Sequence, residues 1–150
     1  MRLNKTLRRY RKDFAQLGAW EMKEIVIVSG VRTPVGRANR GTLARTRLDD
    51  LAAIVTKEVL ERTPGVVASE VDDVIMGCAF PEHSQSFNIG RVAALLAGLP
   101  YSVPGQTVNR LCASGLQAIV TGAQQIINGI SEIVIAGGVE SMSQVPMMGY

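Results

Sequence analysis

Downstream of residue 23 the chain alternates short apolar runs with segments whose apolar residues recur every three or four positions. Glu24–Ser29 (EIVIVS) is a continuous β-branched run, the pattern of a strand buried on both faces. A polar, Gly- and Arg-rich loop follows over 30–47. Leu48, Leu51, Ala52, Val55, Val59 and Leu60 then fall at helical spacing. Thr46 is placed to cap that helix, Asp49 and Asp50 suit its positive end, and Thr63-Pro64-Gly65 stops it. Residues 71–78 (VDDVIMGC) predict a second strand, and 81–87 an irregular connection. A helix over 88–97 shows Ile89, Val92, Ala93 and Leu96 on one face, with Gly98 as its stop. Residues 106–109 predict a third strand. A helix over 112–128 presents Leu116, Ile119, Val120, Ala123, Ile126 and Ile127, and 132–136 (EIVIA) predict a fourth strand leading into Gly137-Gly138. The order β-α-β-α-β-α-β predicts an α/β fold with a mostly parallel sheet and right-handed crossovers. No internal repeat or low-complexity tract interrupts it.

Composition narrows the class. The 150 residues are 47% hydrophobic and 19% charged, which excludes a disordered chain, and no apolar run is long enough to predict a membrane span. Two cysteines cannot form a disulfide scaffold, so a reducing, cytoplasmic setting is expected. The net charge of +3 is local. Residues 1–24 hold seven basic residues against three acidic, whereas the remainder holds nine against ten. The excess is read as a solvated charge run, with no nucleic-acid partner implied. Because Met22 directly precedes the first predicted strand, residues 1–21 are read as a non-native or disordered basic extension. Residues 22–150 are read as the domain.

Ligands of parallel α/β sheets collect at the carboxyl ends of strands. The most informative such edge is Val108-Asn109-Arg110-Leu111-Cys112-Ala113-Ser114-Gly115-Leu116, which passes from strand to helix within a few residues. Cys112 is thereby placed at or near a helix N-terminus, where backbone N–H groups and the helix dipole favour a thiolate. The small residues at 113–115 permit close approach of a substrate. By spacing alone, a lone cysteine in a helical pattern is more often a small buried hydrophobe than a nucleophile. Cys78 falls at another strand's end and is expected to pack; His83 is expected to be an exposed loop residue. The arginines at 37, 40, 45 and 47 lack a P-loop or dinucleotide motif, and no Cys/His spacing fits zinc.

Three segments carry a resemblance. Residues 108–119 (VNRLCASGLQAI) resemble the acyl-enzyme motif of thiolases. Residues 25–36 (IVIVSGVRTPVG) look like that family's opening strand and loop, and 137–143 (GGVESMS) like the exit from its fourth strand. The resemblance spans about 23–150. It implies the N-terminal half of a thiolase-like fold, with the second half absent from this sequence. It further implies reversible thiolytic cleavage of a 3-ketoacyl-CoA to acetyl-CoA and a shortened acyl-CoA through an acyl-Cys112 intermediate. The Cys112 backbone N–H would be one oxyanion donor. Ala79-Phe80-Pro81-Glu82 and the Cys112 segment lean toward the fatty-acid-degrading branch. A biosynthetic acetoacetyl-CoA thiolase and a non-catalytic half acting only in binding are the alternatives. The resemblance implies coenzyme A thioesters as substrates, no resident cofactor, and a homodimer or tetramer assembled through the strand before the nucleophile. The family's activating histidine, its second cysteine and its Asn-His pair lie in a second half-chain and have no match here. The 150-residue chain alone is therefore expected to be inactive and to associate.

Overall fold

The computed structural model describes residues 24–150. The predicted basic extension over 1–21 and the proposed start at Met22 lie outside the described residues.

Among the described residues the regular elements are α1 (Leu48–Glu61), β1 (Asp73–Gly77), α2 (Ile89–Leu96), β2 (Gly105–Val108), α3 (Ser114–Ile127) and β3 (Val134–Gly138). The strands form one parallel sheet in the order β2-β1-β3, with Ile75 of β1 in register with Gln106 on one side and Ala136 on the other. Every residue of β1 is buried, as expected for a central parallel strand, and Asp73 at its start is accommodated by the Gln106 and Gln125 amides, which donate to its Oδ2. Alternation along β1 divides the interior. Val74, Met76 and Cys78 join Ala52 of α1 and Ile89, Ala93 and Ala94 of α2 in one core, whereas Ile75 and Gly77 face α3.

The helices fall where the periodicity places them, but their ends and faces carry corrections. Thr46 does not cap α1: the cap position is Arg47, which makes no side-chain cap bond. The Leu48 N–H instead donates to the Ser84 hydroxyl 3.1 Å away, so the cap comes from a distant turn. Asn88 caps α2 by accepting from the Arg91 N–H, and Gly98, at φ +86°, ends it as expected. In α3 the buried positions are Ser114, Ala118 and Gly122, not the large apolar ones. Small residues at i, i+4 and i+8 let the helix lie close on the sheet. Leu116, Ile119, Val120 and Ile127 are left exposed.

The largest correction concerns the first predicted strand. Residues 24–29 do not join the sheet, and Val26, Ile27 and Val28 are 67%, 80% and 74% exposed. The observed order therefore begins with a helix rather than a strand. A β-branched run becomes a strand only by pairing, and its pattern does not name the partner. Here a cavity of about 680 Å³ opens between this segment, α1, α3 and the free edge of β3. No helix among the described residues is long and apolar enough to cross a membrane.

Candidate active site

At the carboxyl edge of the sheet three chain segments converge: the exit of β1 (78–80), the turn from β2 into α3 (109–113), and the exit of β3 (139–143). Parallel strands deliver all three to the same edge, and crossing backbone bonds fix their heights. Cys78 N–H donates to Val108 C=O at 3.1 Å, and Val139 N–H to Gly77 C=O at 3.0 Å.

The β2–α3 turn carries Cys112. The helix proper begins at Ser114, with Ala113 in the cap position, so Cys112 stands two residues ahead of it and is exposed. The sharpness of the turn is taken up at Leu111, whose φ of +50° is in the left-handed region that non-glycine residues seldom occupy. Two side chains hold that conformation. The buried Ser114 hydroxyl donates to Leu111 C=O at 2.5 Å and accepts from Arg110 N–H at 2.9 Å. From the strand side, Asn109 Oδ1 accepts from Leu111 N–H at 2.9 Å. The helix start is pressed directly onto β1: a Cβ on Gly77 would lie 2.3 Å from the Ser114 carbonyl carbon and 2.5 Å from the Gly115 nitrogen. A side chain at 77 would displace the turn, so glycine there sets the depth of Cys112.

Cys78, at the neighbouring strand end, has the opposite surroundings. It is 1% exposed and its thiol lies 4.0 Å from Glu140 Oε1. Burial, reinforced by the Glu140 charge, pushes the thiol up to about 12. Glu140 also accepts from Ala79 N–H at 2.6 Å and from the Gln85 amide. Buried Gln85 donates to Phe80 C=O and accepts from Ser141 N–H, tying the exits of β1 and β3 together. His83 sits exposed in the one-turn helix His83–Gln85 between β1 and α2. Of the loop arginines, Arg47 pairs with Asp49 at 2.5 Å, and that bond and charge raise its pKa; those at 37, 40 and 45 are exposed.

The large cavity includes Glu140 and Ser141 in its wall but not Cys112. Among the described residues no cluster of His, Cys, Asp and Glu could hold a metal ion. Cys112 and Cys78 thus stand at the strand ends where the sequence predicts them, whereas Asn109, Gln85 and Glu140 enter the site only through the structure. Asn109 was open to detection, since an Asn two residues before a tight turn readily accepts the N–H at i+2. The Gln85–Glu140 contact joins residues 55 apart and leaves no local signal.

Comparison with known proteins gives the class. Residues 25–150 match the family model described as thiolase, N-terminal domain. The chain is 57% identical over 129 residues to a 3-ketoacyl-CoA thiolase of Bacillus subtilis, covering 86% of this chain and 33% of that protein. It is 52% identical over 124 residues to a beta-ketoadipyl-CoA thiolase of Pseudomonas knackmussii, covering 83% and 31%. A crystal structure of the Bacillus anthracis acetyl-CoA acetyltransferase matches with a TM-score of 0.70 at 45% identity, over 75% of this chain and 28% of that one. The chain belongs to the thiolase family, and its matched residues are the N-terminal domain of that fold. It spans about a third of the length of the curated relatives it matches.

Proposed function

We propose that this domain supplies the acyl-accepting thiol of a coenzyme A-dependent thiolase. The observation that carries the reading is the exposed Cys112 on a clamped strand-to-helix turn at the carboxyl edge of the sheet. In the thiolytic direction the Cys112 sulfur attacks the 3-keto carbonyl of a 3-ketoacyl-CoA. The bond between C2 and C3 breaks with its electron pair on C2, which takes up a proton to leave acetyl-CoA. The shortened acyl group stays on sulfur until a second coenzyme A thiol displaces it. Cys112 N–H is proposed as one donor to the oxyanion formed at the attacked carbonyl.

The higher identity to the B. subtilis 3-ketoacyl-CoA thiolase supports the degradative direction and a place in fatty acid β-oxidation. The similarity to the B. anthracis acetyl-CoA acetyltransferase supports the second reading, condensation of acetyl units. Coenzyme A thioesters are the proposed substrates in either direction, with no resident cofactor. A reducing, cytoplasmic setting suits a reaction that consumes a free thiol. β2 lies at the edge of the sheet, which supports assembly through that strand into a homodimer or tetramer. The 150-residue chain alone is expected to take up an acyl group without turning over, and robust thiolysis of acetoacetyl-CoA by it would contradict that expectation.

The test is to incubate the chain with acetoacetyl-CoA or acetyl-CoA, quench in acid, and map acyl adducts by mass spectrometry. An acetyl mass on the Cys112 peptide is expected. An adduct on Cys78, or none on Cys112, would overturn the assignment.

A further inference from the structure

We infer that Asn109 is a positioning residue for the Cys112 turn, braced through Ala79 by Glu140. The inference rests on the acyl-accepting role proposed for Cys112. Its basis is a continuous line of three hydrogen bonds between the exits of the three strands. Glu140 Oε2, after β3, accepts from Ala79 N–H at 2.6 Å; Ala79 C=O, after β1, accepts from Asn109 Nδ2 at 2.8 Å; and Asn109 Oδ1, after β2, accepts from Leu111 N–H at 2.9 Å. Ala79 is therefore held at both its N–H and its C=O, and each end of the Asn109 amide has a defined partner.

The two clamps on the turn act differently. Ser114 bonds only to residues three and four positions away, so it shapes the turn locally. Asn109 reaches 30 residues back to Ala79 and fixes where the turn stands relative to the β1 exit. Leu111 has no intrinsic preference for φ +50°, so its N–H bond to Asn109 helps to hold the backbone immediately before Cys112. Attack on a thioester carbonyl requires the sulfur and the oxyanion-binding N–H groups in one geometry, whereas displacement on a small alkyl halide requires only an accessible thiol. A positioning role thus predicts selective loss of acylation.

The experiment compares the 150-residue chain with its Asn109→Ala, Asn109→Asp and Glu140→Gln variants. For each it measures acetylation of Cys112 by acetyl-CoA, alkylation of Cys112 by iodoacetamide, and amide hydrogen exchange at Leu111 and at Ile75 in the core. Asn109 is exposed, so its variants test the turn rather than core packing. Asn109→Ala is expected to lower the acetylation-to-alkylation ratio at least tenfold and to speed Leu111 exchange by a similar factor, with Ile75 unchanged. Asn109→Asp keeps the acceptor for Leu111 N–H but loses the donor to Ala79, so Leu111 protection is retained while the ratio falls. Glu140→Gln should give a smaller fall of the same kind. An unchanged ratio, unchanged Leu111 exchange in Asn109→Ala, or equal acceleration at Ile75 would overturn the inference. If the unaltered chain is not acetylated at Cys112, the proposed function fails. Positioning is then judged by Leu111 exchange: acceleration in Asn109→Ala with Ile75 exchange and Cys112 alkylation unchanged supports it, and any other result overturns it.

Discussion

Two adjacent strands of one parallel sheet each release a cysteine at the carboxyl edge, and the two thiols have opposite surroundings. Cys78 directly follows the central strand, with the core packed around it and a carboxylate 4.0 Å from its sulfur. Cys112 follows the edge strand by four residues, on a turn that lifts it into solvent. Residue type and strand-end position are shared. What differs is whether the strand is central or at the edge, and whether a left-handed residue turns the chain outward before the cysteine. Reactivity is set by the exit, not by the residue.

The largest expected effect is kinetic. At pH 8 a thiol pushed up to about 12 is ionised to only ~1 part in 10⁴, and Cys78 is also shielded. Iodoacetamide should therefore modify Cys112 at least ~100-fold faster than Cys78, read by mass spectrometry over a time course. Comparable rates would erase the contrast between the two exits.

Next in size is the contact that presses α3 onto β1. Gly77→Ala places a Cβ against backbone atoms of Ser114 and Gly115 that cannot move aside. A loss of about 3 kcal/mol is expected in chemical denaturation, with altered alkylation of Cys112. Gly115→Ala, one helical position inside α3, meets nothing within 4 Å. It should stabilise by about 0.5–1 kcal/mol. Equal effects from the two substitutions would show that the close approach at Gly77 does not set the turn.

The Cys78 environment also predicts a pH dependence. Its folded-state pKa is raised, so between about 9 and about 12 the unfolded chain carries the thiolate while the folded chain retains the proton. Stability should fall as pH rises through that window, by up to about 1.4 kcal/mol per unit. Cys78→Ala should flatten that slope. A slope that survives Cys78→Ala would assign it elsewhere.

The smallest effect is a control at the opposite edge of the sheet. Exposed Asp72 accepts from the Glu132 N–H at 2.6 Å and the Ile133 N–H at 3.1 Å, and those bonds lower its pKa. Its contribution is present at neutral pH and is lost as pH falls below the ordinary carboxylate range. Asp72→Asn should cost less than about 1 kcal/mol at neutral pH, measured by denaturant titration. It should leave the ratio of Cys112 to Cys78 labelling unchanged.

Much of this arrangement was legible in the sequence, because helical periodicity and glycine stops are local signals. The three helices, the three paired strands and the position of Cys112 follow from them. What escaped depends on partners distant in the chain. Residues 24–29 have strand composition but no ladder, since pairing is decided by a neighbouring edge. The sheet-facing side of α3 differs from the one its large apolar residues predict, because Ser114, Ala118 and Gly122 win the contact by being small. The Ser84 cap on α1 and the Glu140–Ala79–Asn109 line span 36 and 61 or 30 residues, beyond any local pattern.

The central claim is that acyl transfer belongs to the exit of β2 and not to that of β1. Acetyl-CoA incubation of Cys112→Ala and Cys78→Ala, followed by intact-mass measurement, tests it most directly. One acetyl group should be retained in Cys78→Ala and absent in Cys112→Ala. An acetyl group that persists in Cys112→Ala and disappears in Cys78→Ala would contradict the account.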